Sequence, residues 1–454
     1  MIYKSNGENI VARPKGEVPK GFFMERTYTH DLQEGKKSLV KGWVSQIRDL
    51  GGLKFLILRD REGTVQVTIK KSEADKNILE KADSLVREDA IAVMGMVRKS
   101  PQAPGGKEII PESLEIINKA KTPLPIETSD KIITGLDKRF DYRFMDVRNP
   151  KVRAIFRVKD IALTYMREFF EKKAGFVEVH TPVIQAAGAE GGATLFPMIY
   201  YQKEAFLRQS PQLYKQMLMA SGLDRVYEIG PVFRAEKFHT RRHVSEYLSV
   251  DMEMAWIDSE EDVLKITEGL VEHTLRGIKK ECKKELEVFG ADVTVPELPF
   301  QRLTYDEVID MLAKHGLKKE WGDDLDDPDE KLLGEIMQKK GHEWYFITKY
   351  PSKIKPFYIM MDGKLSRGMD LDCKGLEIAS GGQREHRYEN LVKVMKQKGL
   401  DPHKFEFYLS AFQYGMPPHG GFGLGSERLV QQALGIENIK EIILFPRTPE
   451  RLVP

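Results

Sequence analysis

Between Ser38 and Ile117 the chain sets out five short strand-like runs and one helix-like run, in an order that few folds accommodate. Ser38–Asp49, Leu53–Asp60 and Thr64–Lys70 are joined by turns at Leu50–Gly52 and Arg61–Gly63. The third run alternates cleanly, with Val65, Val67 and Ile69 on one face and Thr64, Gln66 and Thr68 on the other. Ser72–Glu88 then has helical composition, and Ala90–Arg98 and Glu108–Ile117 are two further strands.

A helix between the third and fourth of five strands is the order of an OB barrel, a fold that binds oligonucleotides on one face. Many small β-domains share that order, so it constrains the fold more than the function. At 454 residues the chain exceeds what one hydrophobic core supports. Residues 1–30 carry Gly and Pro at irregular intervals and read as an extension, 31–120 as the barrel, and the Pro-, Asp- and Lys-rich 121–148 as a hinge. Residues 149–454 form a second domain. Asn149-Pro150 is a good helix start, a cap followed by proline in the first turn. Ile155, Val158, Ala162, Tyr165 and Phe169 follow at helical spacing, and another helix begins near Ser259. Strand-like runs at Phe176–His180, Val226–Arg234, Leu248–Trp256, Phe357–Met361 and Gly375–Ala379 cluster in two blocks. That grouping predicts an α+β multidomain protein whose second domain has a mostly antiparallel sheet flanked by helices. A helical insertion around 285–345, with the charged stretch Lys318–Lys340, shows no sign of chemistry.

The net charge of +2 arises from 71 basic and 69 acidic residues, so a nucleic-acid partner has to be held by local patches. No apolar run approaches the roughly 20 residues of a membrane span, and the N-terminal stretch lacks a signal peptide's apolar core. Only Cys282 and Cys373 are present, which excludes a disulfide scaffold. The expected location is the cytoplasm.

Four segments carry candidate chemistry. GFVEVHTPVI (175–184) reads most simply as a strand ended by Pro182. FRAEKFHTRRHVSEY (233–247) puts Arg234 at a strand end with a basic loop behind it. Arg234 is either a buried structural arginine or a phosphate ligand, since a planar guanidinium grips phosphate or carboxylate with two donors. GGFGLGSERL (420–429) lets backbone approach a ligand and sets Arg428 beside a helix start, a natural anion site. It is neither a Walker loop nor a dinucleotide fingerprint. In MDLDCKGLEIASGGQREHR (369–387), Asp370, Asp372 and Glu377 are either surface charges or hard-oxygen ligands for Mg²⁺.

Together these segments resemble, in order, the three signature motifs of class II aminoacyl-tRNA synthetases. QSPQLYKQ (209–216) and GWVSQIRDLGG…LRDREGTVQV narrow the resemblance to the aspartyl/asparaginyl/lysyl subgroup, with an N-terminal anticodon-binding OB domain. The resemblance, to archaeal and eukaryotic-type aspartyl enzymes, runs from about Ser38 to the C-terminus. It implies ATP as substrate with Mg²⁺, and Arg234 and Arg428 as the catalytic arginines: Arg234 bridges the amino-acid carboxylate and the α-phosphate, and Arg428 holds the γ-phosphate. Glu236 and Tyr247 are implied at adenine, Arg242 and His243 at the triphosphate, and Gly425 in the ATP-binding loop. Asp370, Glu377 and Ser380 are the implied metal site. For aspartate the implied set is Glu190 for the ammonium, with Gln212, Lys215, Arg234, Ser380 and Arg384. Lys215 and Arg384 are expected as two buried cations that a neutral asparagine leaves unpaired. Arg48, Phe55 and Gln66 match the anticodon contacts, an aromatic face stacking a base while Arg and Gln read edges.

The implied activity is aspartate–tRNA ligation. An OB-type single-strand binder explains 38–118 but not Arg234, Glu377 and Arg428, and an asparaginyl enzyme is the alternative within the subgroup. Partners are then L-aspartate, ATP and tRNA(Asp), without membrane contact. Ser45 and Pro104, small or donor-free at the loops assigned to the third anticodon base, favour tRNA(Asn) as a second substrate; the alternative is that Pro104 merely shapes a turn and Gln102 or Lys107 reads the base. Segment 175–184 implies a two-fold homodimer.

Overall fold

The computed structural model describes residues 25–454 except 130, 131, 133, 187–194 and 237–240. Two compact units part between Pro125 and Ile126. The expected hinge therefore does not stand apart. From Ile126 onward it belongs to the second unit, where buried Arg143 donates to the carbonyls of Glu441 (2.7 Å), Leu444 (3.1 Å) and Ile443 (3.2 Å).

In the first unit, strands β1 (Lys37–Leu50), β2 (Leu53–Arg59), β3 (Thr64–Lys70), β4 (Ala90–Lys99) and β5 (Lys107–Asn118) close a barrel in the order β1-β2-β3-β5-β4. The helix α1 is shorter than its composition predicts, Lys76–Asp83, because Asp75 caps it by accepting the Asn77 N–H at 2.8 Å. Val40, Val44, Leu56, Leu58, Val65, Val67 and Ile69 fill the interior. A bulge at Ser45 shifts the register of β1 against β2, and its hydroxyl donates to the Ile57 carbonyl at 3.0 Å. The extra residue lets Val44 and Ile47 both pack on the core while Gln46 and Arg48 turn outward.

The second unit is built on an eight-stranded sheet. Its parts, with the helices that serve the site, are α2 (Pro150–Glu168), β6 (Val177–Glu178), α3 (Gln212–Leu218), β7 (Arg225–Phe233), β8 (Glu246–Ala255), α4 (Glu260–Glu281), β9 (Gln301–Thr304), α5 (Asp327–Lys339), β10 (Trp344–Thr348), β11 (Gly368–Cys373), β12 (Leu376–Gln383), β13 (His419–Gly425) and α6 (Ser426–Leu434). The order is β9-β10-β11-β12-β13-β8-β7-β6. The interior pairs are antiparallel as expected, but both outermost pairs, β9–β10 and β7–β6, are parallel. The sheet is mixed. The insertion is likewise not wholly helical, since β9 extends the sheet.

Asn149 caps α2 as predicted, accepting the Lys151 N–H at 2.8 Å. Residues 357–360 do not form the predicted strand, keeping only an isolated bridge from Ile359 to Arg384, and Met361 begins a separate two-residue strand. The Ile359 N–H turns back to the Pro356 carbonyl at 3.2 Å, and Phe357 is buried against Phe405 and Tyr408.

The strand that positions the site is β8. Its even residues Val250, Met252 and Met254 enter the main core with Val158, Ala162, Val263 and Leu270 from α2 and α4. Its odd residues Ser249, Asp251 and Glu253 consequently face the other way, where they too are buried. Gly421 on β13 permits this. A Cβ there would collide with the Met252 carbonyl and the Glu253 carboxylate, so only glycine lets that side chain lie across the strand.

Candidate active site

A pocket opens on this second face, floored by β8, β12 and β13 and walled by Arg242–Val244, Lys355–Ile359 and α6. One end is rich in arginine. Arg234 follows β7, its guanidinium 5.6 Å from the Tyr247 ring centre, and its buried Nε has no hydrogen-bond partner. An unsatisfied buried donor of this kind costs about 1–3 kcal/mol, which an anion in the pocket would recover. Arg428 donates to the Glu377 carbonyl (2.7 Å) and carboxylate (3.3 Å). Arg242 reaches Glu330 at 2.9 Å, Asp327 at 3.4 Å and the Gly375 carbonyl at 3.3 Å. Glu236, His243 and Gly425 complete this end, and burial pushes His243 below its ordinary pKa, towards the neutral form. Burial conversely raises the Tyr247 hydroxyl, keeping the phenol protonated.

Glu377 and Ser380 both line the pocket although three positions separate them, a spacing that ordinarily sends strand residues to opposite faces. A bulge resolves this: Leu371 opposes Ala379 while Asp372 opposes Glu377, leaving Ile378 as the extra residue. Asp370 pairs across the sheet with Ser380, and its carboxylate accepts from Lys355 Nζ at 2.6 Å, off the pocket wall. Among the described residues no three His, Cys, Asp or Glu side chains converge as ready metal ligands. Three of the acids nonetheless already face a cation, Asp370 with Lys355, Glu377 with Arg428 and Glu330 with Arg242, and two buried oxygens stay unsatisfied. Asp370 Oδ1 and Asp372 Oδ2 are buried without partners. Burial, with Glu330 and Glu377 nearby, raises Asp372 well above the carboxylate range, and burial and Glu377 push Glu330 up to about 8 in spite of Arg242.

The other end is a closed charge network. Buried Lys215, on α3, donates to Asp251 at 2.9 Å and to the Phe422 carbonyl at 2.8 Å, with Glu253 at 3.6 Å. Arg384 donates through Nε to Glu253 (2.9 Å) and through Nη2 to the Gly421 carbonyl (2.8 Å), Glu253 (3.2 Å) and Gln212 (3.3 Å). Among the described residues its Nη1 has no partner, and Arg384 lines the pocket. The expectation of two unpaired cations is therefore corrected: β8 supplies one carboxylate to each, and Lys215 lies beneath the pocket wall rather than on it.

Arg234, Glu236, Arg242, His243, Tyr247, Gln212, Glu377, Ser380, Arg384, Gly425 and Arg428 are thus brought around one cavity. Glu190 lies outside the described residues. Asp251, Glu253, Lys355 and Glu330 escaped the sequence reading. Only the first two left a signal there, the alternation Val250-Asp251-Met252-Glu253-Met254.

In the barrel, Arg48 opposes Phe55, which opposes Thr68, and Gln66 opposes Ile57 in the next row, so Arg48, Phe55 and Gln66 share the outer face. Gln66 is held there by Thr68 (3.1 Å) and Glu108 (3.2 Å).

Four arginines, Arg234, Arg242, Arg384 and Arg428, line one pocket, an arrangement suited to a polyanion, in a chain that also carries an OB barrel. Residues 135–449 match the family model for class II tRNA synthetases (D, K and N), and 39–117 that for the OB-fold nucleic acid binding domain. The chain belongs to the class II tRNA synthetases of this D, K and N family and is an aminoacyl-tRNA ligase. It is 50% identical to the aspartate–tRNA(Asp) ligase of Pyrococcus abyssi, over 94% of this chain and 99% of the relative. It is 48% identical to the aspartate–tRNA(Asp/Asn) ligase of Methanopyrus kandleri, over 95% and 100%. Among solved structures it is similar to asparaginyl-tRNA synthetase from Pyrococcus horikoshii with asparaginyl-adenylate, at TM-score 0.89 and 38% identity over 95% of this chain and all of that one.

The network makes a prediction. Lys215→Met leaves Asp251 facing an apolar side chain, and an uncompensated buried charge costs about 3–5 kcal/mol. Urea unfolding should register that loss, and adding Asp251→Asn should recover at least half of it. Equal stability of the two variants would show that the pair is not coupled.

Proposed function

We propose that the chain activates L-aspartate with ATP and transfers the aspartyl group to the 3′ end of tRNA(Asp). The α-carboxylate of aspartate is already a nucleophile, so no general base is needed. Its oxygen bonds to the α-phosphorus of ATP as pyrophosphate leaves, giving aspartyl-adenylate. A ribose hydroxyl of the tRNA then displaces AMP. The protein's task is alignment and charge stabilisation. Arg234, with its unpartnered Nε, would bridge carboxylate and α-phosphate, Arg428 would take the γ-phosphate, and Arg242 and His243 would line the remainder. Tyr247 and Glu236 would flank adenine. The unpartnered Asp370 Oδ1 supports a Mg²⁺ site, which Glu377 and Ser380, opening on the pocket, and Asp370 behind them would hold. When bound, the ion would neutralise charge on the polyphosphate.

The observation that carries aspartate is the unpartnered Nη1 of Arg384 above a network whose charges are otherwise balanced. A donor-only group finds an acceptor in either oxygen of a side-chain carboxylate but in only one of the two terminal atoms of asparagine. ATP–pyrophosphate exchange with aspartate and asparagine side by side tests this. Exchange is expected with aspartate, and equal or faster exchange with asparagine would overturn the reading.

Phe55, beside Arg48 and Gln66, would stack an unpaired anticodon base. Stacking is worth about 1–3 kcal/mol per base, so Phe55→Ala should raise the KM for tRNA at least about fivefold without touching pyrophosphate exchange. We extend the substrate to tRNA(Asn). The Ser45 hydroxyl is engaged by the Ile57 carbonyl, and Pro104 begins a tight turn with Gly105 at φ 73°. Neither offers a donor to a base. Parallel charging of the two tRNAs should differ by less than about a hundredfold, near 3 kcal/mol at about 1.4 kcal/mol per decade. A stricter preference for tRNA(Asp) sinks this extension alone. Exposed Val177 and Ile184 in segment 175–184 support a homodimer, for which light scattering should give twice the 52.0 kDa chain mass.

A further inference from the structure

Behind the amino-acid end of the pocket lies a chain of buried side chains that the chemistry above does not use. Gln212 Nε2 donates to Gln216 Oε1 at 2.9 Å, and Tyr408 donates to that same oxygen at 3.2 Å. Gln216 Nε2 lies 3.0 Å from His419 Nε2, and His419 Nδ1 lies 2.8 Å from the Pro417 carbonyl. At the pocket end, Arg384 Nη2 donates to Gln212 Oε1 at 3.3 Å. Gln216, Tyr408 and His419 are wholly buried, and Gln212 nearly so.

The direction of this chain is fixed from both ends. A guanidinium can only donate, so the Gln212 oxygen must face Arg384 and its nitrogen must face Gln216. A backbone carbonyl can only accept, so His419 must carry its proton on Nδ1 and present a bare Nε2 to the Gln216 amide. Neither glutamine can flip without setting two donors or two acceptors against each other in a dry interior. His419 must also stay neutral, and its complete burial, which pushes it down to about 4, keeps it so. The main chain adds a second grip, because the Arg384 N–H donates to the His419 carbonyl at 2.8 Å.

We propose that His419 and Gln216 are positioning residues for amino-acid selection: the one-way chain Pro417–His419–Gln216–Gln212 holds the Gln212 oxygen against Arg384 and so aims Arg384 Nη1 at the substrate side chain. The inference rests on the assignment of Arg384 to the aspartate carboxylate. Without His419 the chain loses one of its two end anchors, and only Arg384 and the Tyr408 hydroxyl still orient the glutamines. A Gln212 turned to present its NH₂ group would repel the guanidinium and offer a donor where asparagine has an acceptor.

The test is ATP–pyrophosphate exchange by the full-length enzyme carrying His419→Leu, which removes the acceptor, or His419→Gln, whose Oε1 can take the place of Nε2. By freeing the Gln212 oxygen from its fixed place at the Arg384 guanidinium, His419→Leu should raise the KM for aspartate about tenfold or more, with kcat within about threefold and the KM for ATP within about twofold of wild type. The preference for aspartate over asparagine should fall in the same variant. His419→Gln should restore the aspartate KM to within about threefold. An aspartate KM unmoved by His419→Leu would overturn the proposal. So would a parallel rise in the KM for ATP, or a His419→Gln variant no better than His419→Leu. Should His419→Leu not fold, Gln216→Met removes the same link from its other side. It should raise the aspartate KM alone by a similar factor, and an unmoved aspartate KM there would equally sink the proposal. Absence of aspartate-dependent exchange in the wild-type enzyme would instead overturn the assignment of aspartate.

Discussion

The buried quartet Lys215, Asp251, Glu253 and Arg384 is the constraint on which the rest of the catalytic unit turns. Two cations and two carboxylates out of water are tolerable only in near-ideal geometry, because each ion gives up several kcal/mol of hydration. That geometry needs α3 to deliver Lys215, β8 to deliver both acids from alternate positions, and the end of β12 to deliver Arg384. It also needs a glycine at 421 on β13, so that Glu253 can cross the strand and Arg384 can reach the Gly421 carbonyl. The same β8 residues that place the acids place Val250, Met252 and Met254 in the core, so core packing and site geometry are one problem.

Two bulges perform matching tasks in the two units. At Ser45 an extra residue re-phases β1, so that Val44 and Ile47, three apart, both face the core and Gln46 and Arg48 lie opposite Ile57 and Phe55 on the outer face. At Ile378 an extra residue re-phases β12, so that Glu377 and Ser380 reach one cavity. In each case a local loss of pairing aims side chains that regular pleating would send to opposite faces.

This division explains what the sequence disclosed. The barrel was legible because β3 alternates strictly and turn residues punctuate its neighbours, both local signals. The ordered motifs around Arg234 and Arg428 were legible because a family resemblance carries residue roles with it. The ion partners were not: Asp251 and Glu253 show only as a period-two pattern inside an apolar run, and nothing near them in sequence names Lys215 or Arg384. Lys355 left no signal, since the run after it reads as a strand and its meeting with Asp370 depends on how Pro356 turns the chain. The insertion looked inert because Glu330 touches Arg242 across 88 residues, a proximity that composition does not encode. Bulges are equally opaque, being properties of cross-strand register.

The glycine strand β13 has a consequence for how this enzyme can be altered. Gly423 and Gly425 line the cavity, and Gly421 abuts the charge network beside it. Where the floor is main chain, there is no side chain left to trim. Adding a methyl group at these glycines makes the chamber shallower, and no substitution at them can make it deeper. Redesign toward bulkier amino acids must therefore shift a strand pinned between two neighbours or carve the opposite wall, where Gln212, Tyr358 and Ile359 still have atoms to lose.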